Sequence, residues 1–204
     1  MERRSSWWAW GLGAAAAALL GFWVARQVDS SAPELASGTW FPAARPIGAF
    51  ALTAHTGQAF GLEDLQDHPT LVFFGYTHCP DVCPTTLVQL AQVKKAAGLG
   101  DLRVLFVSVD PGRDTPPVLA SYVHAFDPGF IGATGDAAEI ARLTQKFGVA
   151  VARVDLPGGD YAMDHSAAVF LLDRRGEIVA VFTPPYAVAS FAADLRRVAP
   201  RLRG

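Results

Sequence analysis

Cysteine is scarce in this sequence: Cys79 and Cys83 are the only two in 204 residues. A disulfide scaffold is thereby excluded, and a pair separated by three residues cannot staple distant parts of a chain. Charge is sparse as well. Charged residues make up 18% of the chain, with 17 basic against 19 acidic side chains, which excludes both a polyelectrolyte and a strongly basic nucleic-acid binder. Internal repeats are lacking, and there are five histidines. With 51% hydrophobic and 11% aromatic residues, the chain is too apolar for disorder, yet too often interrupted by polar residues for several membrane spans. One domain with appendages is what this composition leaves.

The uninterrupted apolar run lies at the start. Trp7 to Ala25 is 19 residues without a charge, with Trp7, Trp8, Trp10 and Trp23 at interfacial places and five consecutive alanines between them. As a helix it spans roughly 28 Å, about the hydrocarbon thickness of a bilayer. A cleaved signal peptide has a shorter apolar region and a small-x-small site, which Arg26, Gln27, Val28 and Asp29 do not provide. Residues 1–26 therefore read as one transmembrane anchor in contact with lipid. Arg3 and Arg4 keep the N-terminus in the cytoplasm and send the rest across the membrane. Glu2, Arg3, Arg4 and Arg26 sum to +2, which leaves about −4 for residues 27–204 and no basic field for nucleic acid. The arginines at 196, 197, 201 and 203 suit a helix C-terminus.

Residues 27–46 are rich in Ser, Ala, Pro and Gly and read as a flexible tether, with the domain proper at 47–204. Gly48 to Thr53 and Gln58 to Phe60 flank His55, Thr56 and Gly57 as a short hairpin. Thr70 to Gly75 is a continuous apolar run, as a strand buried on both faces requires. A helix from Pro84 to Ala97, a strand from Arg103 to Val109 and a helix from Asp114 or Thr115 to Phe126 follow. Asp136 to Phe147 is a third helix. Val149 to Val154, Ala167 to Leu172 and Glu177 to Phe182 are strands, and Val188 to Val198 closes the chain as a helix. This order predicts an α/β, thioredoxin-like domain with an N-terminal hairpin extension, preceded by one transmembrane helix.

The chemistry concentrates between Thr77 and Pro84. Pro84 disfavours helical geometry at Cys83 and fits a first helical position, so both thiols are expected at the helix mouth, where the positive end of the dipole favours thiolate. Asp81 opposes this. A third ligand is expected at His165, in the run Asp164-His165-Ser166, because in this fold the loop entering the strand Ala167 to Leu172 faces the cysteine loop, where thioredoxins carry a cis-proline. Two thiolates and an imidazole suit copper in both its oxidation states, whereas zinc needs a fourth ligand or a water. Asp164 is expected to position the imidazole. His78 is a neighbour of the ligands. Met163 reads as packing, Asp110 and Asp114 as organisers of their loop, and His55, His68 and His124 as surface or turn residues. Val72 and Tyr76 stand where a peroxiredoxin needs proline, which excludes that chemistry.

Three segments, Gly75 to Leu87 (GYTHCPDVCPTTL), Val107 to Pro116 (VSVDPGRDTP) and Asp164 to Asp173 (DHSAAVFLLD), resemble the Sco/SenC family of copper-binding, membrane-anchored thioredoxin-like proteins. The resemblance covers residues 47–200. It implies that Cys79, Cys83 and His165 ligate copper and that the protein is a metallochaperone for the dinuclear copper centre of cytochrome c oxidase. The partners it implies are the copper-bearing oxidase subunit, with other copper chaperones or thiol reductants. As the alternative, Cys79 and Cys83 are the redox-active dithiol of a thiol-disulfide reductase that keeps the oxidase cysteines reduced. The implied location is the bacterial inner membrane, single-pass, with the domain in the periplasm. Gly112 departs from the pattern, since many relatives carry a charged residue there.

Overall fold

In the computed structural model, Leu19, Gly21 and residues 32–203 are described. The proposed anchor, Trp7 to Ala25, lies almost wholly outside these residues; among those described, no helix is long and apolar enough to cross a membrane. Residues 34–204 form one compact unit.

Its elements run β1 (Gly38–Pro46), β2 (Ala51–Ala54), β3 (Ala59–Gly61), a 3-10 turn (Leu62–Leu65), β4 (Thr70–Gly75), α1 (Val82–Ala97), β5 (Arg103–Ser108), α2 (Pro116–His124), β6 (Phe130–Thr134), α3 (Ala137–Phe147), β7 (Val151–Asp155), β8 (Tyr161–His165), β9 (Val169–Leu172), β10 (Glu177–Phe182), α4 (Val188–Val198) and a last 3-10 turn. Eight strands make one sheet in the order β1-β10-β9-β4-β5-β6-β2-β3, while β7 and β8 pair by themselves. The centre is parallel, β4 to β5 to β6, with β9 antiparallel to β4. A parallel centre covered on both faces explains why β4 has all six residues buried. Alternation along β4 divides the faces. Phe74 meets Phe147 of α3 and Phe170 of β9 at ring distances of 5.0 and 6.4 Å, whereas a Cβ on Gly75 would press on Cys83 of α1. α1 and α3 thus cover opposite faces.

The expected hairpin is present as β2 and β3, with Ala51 opposite Gly61. Other expectations need correction. The segment Gly38–Pro46, assigned to the tether by composition, is strand β1, paired antiparallel with β10 and irregular between Trp40 and Arg45. Its start is pinned because the buried Asp194 carboxylate of α4 accepts from Ala36 N, Ser37 N and Ser37 Oγ at 3.0, 2.8 and 2.6 Å. The folded body therefore begins near Glu34 and not at Ile47. Helix α1 starts at Val82, two residues before Pro84, because the first turn needs no intrahelical donor and tolerates proline there. Helix α2 starts at Pro116, with Thr115 at its N-cap, and ends at His124; the Asp114 carboxylate is used elsewhere. Strands β6 and β8 are present in addition to the strands the sequence pattern predicts.

Candidate metal centre

Strand β4 ends at Gly75 and hands the chain to the loop from Tyr76 to Asp81, which opens α1. Glycine is required at the junction: a Cβ there would stand 2.9 Å from Cys83 Sγ and 2.7 Å from the Phe106 ring. Its absence lets Cys83, in the first turn of α1, seat its sulfur against the end of the sheet. Cys83 is fully buried and Cys79 partly exposed, and both are free thiols. The Cys83 backbone N–H donates to Cys79 Sγ at 3.4 Å, so the unpaired amides of the helix start do face a sulfur, as the dipole argument requires. For the Cys83 thiol, however, burial outweighs that field and pushes its pKa up, with the Cys79 sulfur and Asp114 acting in the same direction. The expectation of an activated thiolate at this position is corrected accordingly.

His165 ends β8 and reaches across to the same point, with its Nε2 3.3 Å from Cys83 Sγ. Its Nδ1 lies 3.2 Å from the Ser166 carbonyl. A carbonyl only accepts, so the proton is assigned to Nδ1, and the Nε2 lone pair faces the sulfurs. Burial pushes the imidazole below its usual pKa, against the Ser166 carbonyl and the Asp164 charge, which keeps it neutral as a ligand must be. The rings of Phe73 and Tyr76 stand edge-on to it, 6.1 and 6.0 Å away. The ligand atoms of Cys79, Cys83 and His165 all lie within 4.8 Å of one another. Two sulfurs and one neutral nitrogen fit a soft ion with low coordination number, copper before zinc.

The other expected residues divide. Asp164 is exposed and influences His165 by charge, while the positioning bond belongs to the Ser166 carbonyl. Asp81 is exposed at the N-cap of α1 and accepts from Thr85 Oγ1 at 3.3 Å. Asp110 and Asp114 organise their loop, as expected. Fully buried Asp114 accepts from Thr77 N, Thr77 Oγ1 and Ser108 Oγ at 3.0, 2.6 and 2.6 Å, which ties the cysteine loop to β5. His78 is exposed, with Nδ1 3.1 Å from Thr77 Oγ1. His55 and His124 pack edge to face at 4.8 Å, with His55 Nδ1 accepting from Gly132 N. Met163 packs against the core. Sequence reasoning missed Gly75, Ser166 and the aromatic pair; for Gly75, the one signal was a glycine ending an otherwise apolar strand just before the cysteines.

The family model SCO1/SenC matches residues 42–200. The chain belongs to the SCO1/SenC family. Among relatives, it is 37% identical over 139 residues to the SCO2-like protein of Rickettsia felis, covering 66% of this chain and 68% of that one. A solved structure of Bradyrhizobium japonicum ScoI with copper bound is similar at 44% identity and a TM-score of 0.68, covering 74% of this chain and 97% of that one. Yeast Sco1, also solved with copper bound, is similar at 30% identity and a TM-score of 0.68, over 75% of this chain and 87% of its own. The sheet described above is thus the SCO1/SenC form of the thioredoxin-like fold.

Proposed function

We propose that this protein is a copper metallochaperone which holds copper through Cys79, Cys83 and His165 and delivers it to the copper-bearing subunit of cytochrome c oxidase. The observation that carries the reading is the convergence of two free thiols and a neutral imidazole within 4.8 Å. SCO1/SenC relatives bind copper and belong to oxidase assembly, which supports the same partner. Copper is the cargo, and the residues here do the rest. Cys79, the more exposed sulfur, is the one a recipient meets first. Cys83, fully buried, retains the ion with His165 until exchange is under way. No bond in a substrate is made or broken, so on this reading the protein is not an enzyme.

The second reading, a thiol-disulfide reductase, is favoured by one observation: a partly exposed Cys79 stands beside a buried Cys83, the arrangement in which one sulfur attacks a partner disulfide and the other resolves the mixed disulfide. His165 separates the two readings, because an imidazole ligates copper but takes no part in a dithiol-disulfide couple. If delivery is the task, His165→Ala costs oxidase assembly at low copper, and abundant copper restores it by mass action. Oxidase activity in cells across a copper series, with protein abundance checked by immunoblot, is the measurement. Full activity at limiting copper overturns the chaperone reading.

A further inference from the structure

His165 is carried by the β7–β8 pair, the one part of the described chain whose strands do not join the eight-stranded sheet. What holds that hairpin decides whether the imidazole stays over the sulfurs. Beside it lies an open groove of about 640 Å³ lined by Val109, Pro111, Ile140, Thr144, Val151 and Met163, so one flank of the hairpin is not packed against the helix opposite. Besides the bond between Tyr76 and the Met163 backbone and the Ser166 N–H to Ala150 carbonyl bond at its base, the hairpin is fastened at its outer end, by the loop from Asp110 to Asp114. The Tyr161 hydroxyl donates to Asp110 Oδ1 at 2.8 Å, and Asp110 is buried. The Arg113 guanidinium lies 3.7 Å from the Tyr161 ring centroid, with Arg153 of β7 at 3.8 Å from the same ring. Arg113 also pairs with Asp110 through Nε and with Asp160 through Nη1, the latter at 3.1 Å. Its carbon Cζ stands 5.8 Å from the Tyr76 ring, which itself packs on His165. The same loop grips the cysteine side through Asp114 and Thr77. One short segment therefore braces both halves of the metal centre.

We propose that Tyr161 and Arg113 are positioning residues: together with Asp110 they form a latch that holds the β7–β8 hairpin down and so keeps His165 over Cys79 and Cys83. The latch rests on the copper reading for its purpose, though not for its existence, which the metal-free protein reports. Opening it leaves the two sulfurs in place and removes the nitrogen. The latch thereby sets how quickly copper is given up without altering either thiol. A stacked guanidinium and a hydroxyl bonded to a buried carboxylate are together of the size that shifts such an opening equilibrium by about tenfold or more.

The test uses the full chain in detergent. In the metal-free protein, amide hydrogen exchange over residues 151–165 is expected to quicken about tenfold in Tyr161→Leu, less in Tyr161→Phe, which keeps the stacked ring, and measurably in Arg113→Lys, which keeps the charge but loses the planar group. Exchange in β4 and β9 is expected to stay unchanged. In the Cu(II)-loaded chain, the nitrogen coupling of His165 in the electron paramagnetic resonance spectrum should weaken, and copper loss to a chelator should quicken in the same order of variants. Hairpin exchange equal to wild type in Tyr161→Leu overturns the latch. Faster exchange with unchanged nitrogen coupling and copper loss overturns the positioning role. If Tyr161→Leu loosens the whole sheet, Tyr161→Phe decides, since it deletes one hydroxyl. Failure of the wild-type chain to hold copper sinks the ligand assignment, while the exchange measurement still decides the latch.

Discussion

At Cys83 and His165 burial acts in opposite senses on two ionisable groups. It raises the thiol and lowers the imidazole, so both are neutral in the metal-free protein near pH 7. The linkage follows from these directions. His165, with a folded pKa below its unfolded value of about 6.5, contributes stability that is fully present above that value and lost as pH falls through the folded one. Cys83, raised above its unfolded value of about 8.5, contributes stability that is present below that value and lost as pH climbs toward the folded one. The metal-free protein is therefore expected to be most stable between these limits. Urea midpoints measured from acid to alkaline pH check this: His165→Gln should flatten the acid limb and leave the alkaline one. An acid limb identical in the variant would show that His165 is not the group responsible.

Among the elements, the most legible were those whose burial leaves a plain sequence pattern, continuous for a strand covered on both faces and periodic for a helix covered on one. β4 and β5 are apolar runs, and α3 follows the helical period with Asp136 accepting from Glu139 N at 2.8 Å as its cap. β1 was not legible, because its partner β10 is far along the chain, with Gly38 opposite Phe182 and Pro46 opposite Glu177, and its own Gly, Ala and Pro content reads as linker. β6 was hidden by its shortness and by Gly132 within it, which is there because a Cβ would stand 3.2 Å from Leu119 and Val123 of α2. The candidate ligands were legible because their chemistry is in their side chains; the groups that place them, Gly75 and the Ser166 carbonyl, act through a missing side chain and a backbone atom. Asp194→Ala removes the acceptor of three hydrogen bonds and should cost about 2–3 kcal/mol, with faster proteolysis ahead of Gly38 and unchanged copper stoichiometry. Denaturation and limited proteolysis measure both; wild-type resistance of the segment would show that β1 holds without the anchor.

At the scale of the whole molecule, the domain that begins near Glu34 follows a charge-free stretch, Trp7 to Ala25, preceded by Arg3 and Arg4. We propose that this stretch anchors the chain once in the bacterial inner membrane, with residues 27–33 as a short tether and the domain in the periplasm. Alkaline phosphatase fused after residue 33 should be active and membrane-bound; active enzyme released to the soluble periplasm would instead mark a cleaved signal.

Whether Cys79, Cys83 and His165 together hold one copper ion is decided by X-ray absorption at the copper edge on the reduced protein loaded with Cu(I). The expected spectrum has two sulfur scatterers and one nitrogen at one copper per chain, the nitrogen vanishing in His165→Ala and binding collapsing once the thiols are oxidised to a disulfide. Equal binding by the oxidised protein, or an unchanged nitrogen shell in His165→Ala, would contradict this ligand set.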